Sequence, residues 1–324
     1  MTPTSQSHHR LVRKLREAMG STICNTLDDA LVVEIMLNPD GQLFVERIGE
    51  PITQAGRLAP QAAETIIGTV AHALGTEVNL NRPIISGELP IGGHRFEGLL
   101  SPVVAAPVFT IRKRATRLFP LDSYVRDKIM TPYQAAVIRN AVENRMNIVV
   151  AGGTGTGKTT LTNAVIGEIV SLMPEHRLVI LEDTVEIQCA AENVVALHTT
   201  DAVDMSRLLK STMRLRPDRI IVGEVRDGAA LTLLKAWNTG HPGGIATIHA
   251  NSALSALTRL EQLTAEVSSN PMPEIIGEAV DMVISIERTS KGRRLRELLV
   301  VEGYRDGRYR IESHGSEEGH RHVA

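Results

Sequence analysis

Residues 152–159, Gly152-Gly153-Thr154-Gly155-Thr156-Gly157-Lys158-Thr159, fill every position of the pattern G-x-x-x-x-G-K-[ST]. The chemistry this pattern serves is the binding of a nucleoside triphosphate. Its glycines let successive backbone N–H groups turn toward phosphate oxygens, and the helix that follows aims its positive dipole end at the same point. Lys158 adds a mobile charge near the β- and γ-phosphates, the Thr159 hydroxyl is placed to ligate Mg²⁺, and Thr160 completes the phosphate-binding set. The motif also has the context it needs: Asn147 to Ala151 reads as a buried strand running straight into the loop, and Thr160 to Val170 has helical spacing.

Further clusters narrow the chemistry. Leu178 to Glu186 reads as a second buried strand with carboxylates at its carboxyl end, where ligands sit in an open α/β sheet. Glu182 and Asp183 are expected near the phosphates, to hold metal-bound water or polarise the attacking water. Glu186 fits a solvated acidic turn as well as it fits a site. Arg219 to Glu224 is another buried strand ending in an acid, but Gly223 stands where a typical Walker B strand carries Asp. Glu224 is therefore the expected general base or water-orienting residue, and Mg²⁺ falls to Thr159 and the Glu182 cluster. Arg226 either pairs with Glu224 or senses the γ-phosphate. His241 and His249 bracket a glycine turn and a strand, and both read as functional; neither has a Cys or His at zinc-ligand spacing, which sets a metal centre aside. Arg112, Arg114, Arg117 and Arg126 are solvated charges or the source of a guanidinium for the γ-phosphate.

The elements that must position these residues are legible in part. A chain of 324 residues holds two domains with cores of their own. Val32 to Arg47 reads as two β-prone runs around Asn38-Pro39-Asp40-Gly41, a helix follows at Pro60–Leu74 with Gly75 as its stop, and a second hairpin spans Ile84 to Val104, turning at Gly92-Gly93. This predicts a small α+β domain over 1–111, then a basic linker over 112–130. A phosphate-loop domain over 131–313 starts with Thr131 as cap, Pro132 at the first helical position and Gln134 closing a capping box. Strands are expected at 147–151, 177–182, 193–198, 219–223 and 244–248, and helices at 159–172, 204–214 and 227–239. That alternation specifies a mainly parallel sheet covered on both faces. Antiparallel strands at 281–287 and 295–312, with a turn at Asp306-Gly307, close the domain ahead of a disordered tail over 314–324.

Composition excludes several classes. The 35 basic and 37 acidic residues give a net charge of −2, unlike a protein that coats nucleic acid or anionic lipid. Aromatic residues are 3 %, too few for a base-stacking platform. Cys24 and Cys189 read as ordinary buried thiols in a reducing compartment. No run approaches the ~18 apolar residues of a membrane span, and Met1–Arg16 lacks a signal-like apolar segment, so a soluble intracellular protein is expected.

In this order, the phosphate loop, the Leu181-Glu182-Asp183-Thr184-Val185-Glu186 box, the Arg216-to-Arg226 strand and the Thr239-Gly240-His241 to Thr247-Ile248-His249-Ala250 segment resemble the secretion ATPase superfamily, over at least Phe109–Asn251. The compact N-terminal region and the segment Glu34 to Gly41 resemble most the type IV secretion, conjugal-transfer members of the TrbB kind. The resemblance implies a RecA-like ATPase that uses ATP and Mg²⁺. It implies a homohexameric ring, peripheral to the cytoplasmic face of the inner membrane, with other type IV secretion components as partners and no sequence-specific nucleic-acid binding. By position, Glu182 matches the family's Asp-box acid, Glu224 its Walker B acid, His249 its histidine-box residue and Arg112 its γ-phosphate arginine, with Arg95 in the same set. Two other classes compete. A RecA- or helicase-type nucleic-acid motor would need a basic stripe and aromatic loops, and a nucleotide-binding scaffold without turnover would not need both Glu182 and Glu224.

Overall fold

The structure, a computed structural model, describes residues 5–114, 118–200, 202–290 and 292–315. It divides into two compact units, Met1–Thr116 and Arg117–Ala324.

The first unit opens with α1 (Ser5–Asp28), a helix kinked at Gly20, where φ is 72°. Leu15, Met19, Ile23 and Leu27 recur every four residues and are all buried. This stripe is hidden in the sequence among polar and basic residues, and no helix is expected there from composition. Each such side chain, fully buried, is worth about 1.5–3 kcal/mol. The helix packs on α2 (Pro60–Ala73), whose first residue is proline and which Gly75 ends in the left-handed conformation at φ 71°. Both cover a six-stranded sheet of β1 (Val32–Leu37), β2 (Gln42–Arg47), β3 (Thr53–Arg57), β4 (Ile84–Glu88), β5 (Arg95–Leu99) and β6 (Val108–Arg112), in the order β3-β2-β1-β6-β5-β4. Every pairing is antiparallel. The two expected hairpins are β1–β2 and β4–β5, while β3, beside β2, and β6, between β1 and β5, are strands not expected from the sequence.

The second unit begins with α3 (Leu121–Arg126), inside the expected linker. Leu121 and Tyr124 are buried in the second unit's core, an apolar pair at helical spacing that outweighs the basic residues around it. Arg112 is likewise no linker residue but the last of β6. Helix α4 (Pro132–Glu143) starts with the expected capping box, Gln134 N–H donating to Thr131 Oγ1 at 3.1 Å and Thr131 N–H to Gln134 Oε1 at 2.9 Å.

From there strands and helices alternate: β7 (Ile148–Gly152), α5 (Lys158–Leu172), β8 (Leu178–Glu182), β9 (Val194–His198), α6 (Met205–Thr212), β10 (Arg219–Val222), α7 (Ala229–Asn238), β11 (Ile245–His249), α8 (Ala253–Ala265), α9 (Pro273–Ala279), β12 (Met282–Thr289), β13 (Gly292–Arg305) and β14 (Arg308–Ser313). The sheet order is β14-β13-β12-β7-β11-β10-β8-β9, parallel from β12 to β9 and antiparallel from β12 to β14. All residues of β7, β8 and β10 are buried, as strands covered on both faces require. Asp306 and Gly307 both take positive φ, 55° and 76°, in the tight turn of the last hairpin. His314 is tied down, its Nδ1 2.8 Å from Tyr133 Oη, so the expected tail does not begin at 314; residues 316–324 lie outside those described.

Candidate functional site

The phosphate loop joins the carboxyl end of β7 to the amino end of α5. Gly155 (φ 70°) and Gly157 (φ 101°) are left-handed, and Gly157 is the residue from which α5 starts. At Gly152 the need for glycine is spatial: a Cβ would stand 2.6 Å from both Ile286 O and Thr156 Oγ1. Thr156 Oγ1 donates to Gly153 O at 2.9 Å, while Thr154 is exposed. The buried Lys158 ammonium donates to Gly152 O at 2.8 Å and Gly153 O at 3.0 Å and lies 3.4–3.5 Å from the ring nitrogens of His249. Thr159 Oγ1 donates to Glu186 Oε2 at 3.3 Å. Glu186, left open by its sequence context, is therefore beside the residue expected to ligate metal.

The acids come from the ends of the parallel strands. Glu182, the last residue of β8, is buried and its Oε1 accepts the N–H groups of Glu186 at 2.9 Å and Ile187 at 2.8 Å. Its side chain lies against Gly223. Val225 N–H donates to Thr247 O at 2.9 Å and Thr247 Oγ1 to Gly223 O at 2.5 Å, which hooks the chain after β10 onto β11. Nothing in the sequence marks Thr247 for this part. The hook brings Glu224 to His249, with Glu224 Oε1 2.9 Å from His249 Nε2. The other oxygen, Oε2, accepts from Arg226 Nη2 at 2.5 Å, and Arg226 Nη1 lies 3.6 Å from Asp183 Oδ2. The Glu224 carboxylate raises the Arg226 guanidinium above its ordinary value, first through this hydrogen bond. Of the two readings of Arg226, the pairing with Glu224 is the one observed. Lys158, His249, Glu224, Arg226 and Asp183 thus form a line of contacts across the carboxyl ends of β7, β11, β10 and β8.

His241 does not join it. It precedes β11, while His249 ends that strand; five residues of strand span roughly 16 Å. Strand direction therefore sets His241 apart from the contacts that His249 makes at the phosphate loop. The arginines are also dispersed. Arg126 is exposed on α3 and pairs with its neighbour Asp127, Arg114 N–H donates to His94 Nδ1, and Arg117 lies outside the described residues. Within the first unit, Arg112 on β6 stands opposite Arg95 on β5 and Glu34 on β1. Burial pushes the Glu34 carboxyl up, opposed by the charge of Arg112.

Among the described residues no three His, Cys, Asp or Glu side chains gather as a metal cage, and no helix is long and apolar enough to cross a membrane. A hydroxyl at Thr159 with carboxylates at Glu182 and Glu186 is instead a donor set that suits Mg²⁺ held partly by phosphate and water.

The family model described as "Type II/IV secretion system protein" matches residues 95–294. The conjugal transfer protein TrbB of Rhizobium radiobacter is 67 % identical over 319 residues, covering 98 % of this chain and 99 % of the relative. The type IV secretion system protein PtlH of Bordetella pertussis is 32 % identical over 313 residues, covering 85 % and 91 %. Among solved structures, the Legionella pneumophila ATPase DotB superposes with a TM-score of 0.63 at 19 % identity, covering 86 % of this chain and 79 % of DotB. That likeness bears on the fold: a RecA-like phosphate-loop domain with a mainly parallel sheet, preceded by a smaller α+β domain.

Proposed function

We propose that this chain, which belongs to the type II/IV secretion system protein family and within it to the TrbB-like conjugal-transfer branch, hydrolyses ATP to power a type IV secretion machine. The observation that carries this reading is the Glu224–His249 contact at 2.9 Å beside Lys158. It holds a carboxylate at the mouth of a phosphate loop, where a water attacking the γ-phosphate must be oriented.

In this mechanism Gly152, Gly153, Thr154, Gly155, Thr156, Gly157, Lys158, Thr159 and Thr160 bind the phosphates, and Lys158 exchanges its loop carbonyls for phosphate oxygens. Thr159 and Glu182 would hold Mg²⁺, which would supply positive charge to the phosphates when bound. Glu224 accepts the proton of the attacking water. His249 and Arg226 fix the two oxygens of that carboxylate, so it reaches the reaction already oriented. Arg112, with Arg95, is assigned to the γ-phosphate, and loss of that phosphate on hydrolysis releases an ATP-driven closure of the two units. Coupled around a homohexameric ring on the cytoplasmic face of the inner membrane, these cycles would serve pilus assembly or transfer of a DNA–protein substrate.

The test is phosphate release from MgATP by the full chain and by Lys158→Ala, with and without added DNA. Turnover in the parent, with a loss of more than about tenfold in the variant, supports the reading. Strong stimulation by DNA would favour a nucleic-acid motor instead. Native mass measurements with and without ATP test the six-fold ring.

A further inference from the structure

Arg293 stands on β13, opposite Arg288 across the β12–β13 hairpin. Its Nε is buried and has no hydrogen-bond partner, and among the described residues no carboxylate pairs with its guanidinium. The side chain is directed at the phosphate loop: a Cβ added at Gly157 would meet Arg293 Cδ and Nε, each at 3.2 Å. Ile286, on the other strand of the hairpin, touches the same loop from the same side. Tyr124 of α3, itself buried, is close enough for the charge of Arg293 to oppose the rise that burial imposes on its phenol.

These contacts gather positive charge on positive charge. Arg293 meets the amino end of α5 at Gly157, the Lys158 ammonium sits on the same loop at Gly152 O and Gly153 O, and a cation at a helix N-terminus is disfavoured. A buried donor without an acceptor adds to that cost. An anion seated in the loop removes both. Sheet order then says which part of the anion Arg293 meets. Glu182, Glu224 and His249 follow or end β8, β10 and β11, all on one side of β7, so the reacting γ-phosphate lies toward that side. Arg293 comes from β13, on the other side.

We infer that Arg293 is a nucleotide-binding residue that meets the α- and β-phosphates, the part shared by ADP and ATP, from the β12–β13 side of the loop. The inference rests on the reading of the loop as a nucleotide site and adds to it a cation supplied by the phosphate-loop unit itself. It separates Arg293 from a γ-phosphate arginine: affinity for MgADP depends on it as much as affinity for MgATP.

The test compares MgADP affinity and the KM for MgATP in the parent, Arg293→Gln and Arg293→Lys. Glutamine should weaken MgADP binding by about tenfold or more and raise the KM for MgATP with it, and lysine should restore part of both. A second measurement needs no variant: phenylglyoxal labelling of the parent, read by peptide mass, should be suppressed at Arg293 by MgADP. Parent-like MgADP affinity in the glutamine variant, or labelling of Arg293 that saturating MgADP leaves unchanged, would overturn the inference and leave the nucleotide site standing. Failure of the parent to bind MgADP at all would overturn both.

Discussion

The Glu182 side chain fills the space beside Gly223: a Cβ at residue 223 would stand 2.9 Å from Glu182 Cγ and 3.3 Å from its Oε1. The missing Walker B aspartate thus has a physical cause. The position belongs to a buried carboxylate delivered by the neighbouring strand, whose Oε1 is already committed to two backbone N–H groups. Restoring the aspartate is expected to harm rather than help. Gly223→Asp should destabilise the chain by about 1–3 kcal/mol through overpacking, with a further loss from a second carboxylate beside Glu182, and turnover should fall. Urea unfolding and phosphate release measure the two effects. A variant as stable and active as the parent would show that Glu182 can swing aside.

Glu224 and His249 should behave as one unit. Glu224→Gln keeps the shape of the side chain and loses the proton acceptor, so it should bind an ATP analogue like the parent and turn over about 10²–10³-fold more slowly. His249→Ala leaves Glu224 held only by Arg226 and should also slow turnover. Because each substitution disables the same oriented carboxylate, the double variant should be slower than the worse single one by no more than about tenfold. Fully multiplicative losses would place His249 in a separate step, away from Glu224.

How much of this could be read from the chain depends on how local each signal is. The strand Ile148 to Gly152, the glycines after it and the helix from Lys158 are contiguous, and an apolar run meeting glycines leaves little choice of structure. The strands ending in Glu182 and Glu224 are equally local. Helix α1 is obscure because Leu15, Met19, Ile23 and Leu27 stand singly among mostly polar or small residues and are interrupted by Gly20. Residues 250–280 carry no element in the sequence reading, although Ser252 caps α8 and Pro273 opens α9. Least legible are contacts between distant segments. The approach of Arg293 to Gly157 needs the β12–β13 hairpin to pack beside β7, and no spacing along the chain encodes that.

At the opposite end of the sheet, Arg219 and His176 predict a pH dependence of stability. Arg219 is fully buried and its guanidinium donates to Gly243 O, Val142 O and, through Nε, to His176 Nδ1 at 3.1 Å; burial pulls it down to about 10. The same surroundings hold His176 below its ordinary value of 6.5, through burial first and then the charges of Arg219 and Arg145, against the weaker opposing pull of Asp218 and Glu175. The unfolded chain therefore takes up this proton before the folded one. The stabilisation is fully present above the unfolded value and is lost as pH falls through it toward the folded value. Between about pH 8 and about pH 5, unfolding midpoints of the parent should fall more steeply than those of His176→Gln, which keeps an acceptor and does not titrate. Parallel slopes would remove His176 from the acid sensitivity of the fold.

Arg112 is the residue on which the proposed γ-phosphate sensing depends. Within its own unit it stands opposite Arg95, a like-charge pair that a sheet disfavours, and Glu34 on the other flank offsets only part of that. A like-charge pair kept on one sheet is explained if both guanidinia serve an anion. On that proposal Arg112→Ala should leave MgADP affinity nearly unchanged, because ADP has no γ-phosphate to offer it, while affinity for an ATP analogue and turnover fall together. Lysine should rescue poorly, since it lacks the planar fork that meets phosphate at two points. This pattern differs from that expected for Arg293, where affinity for MgADP weakens together with affinity for the ATP analogue. Measuring MgADP affinity, analogue affinity and turnover in the two series of variants side by side therefore separates a cation that senses the third phosphate from one that anchors the first two. Parent-like turnover in Arg112→Ala would make it a surface charge of β6 and pass the proposed role to Arg95.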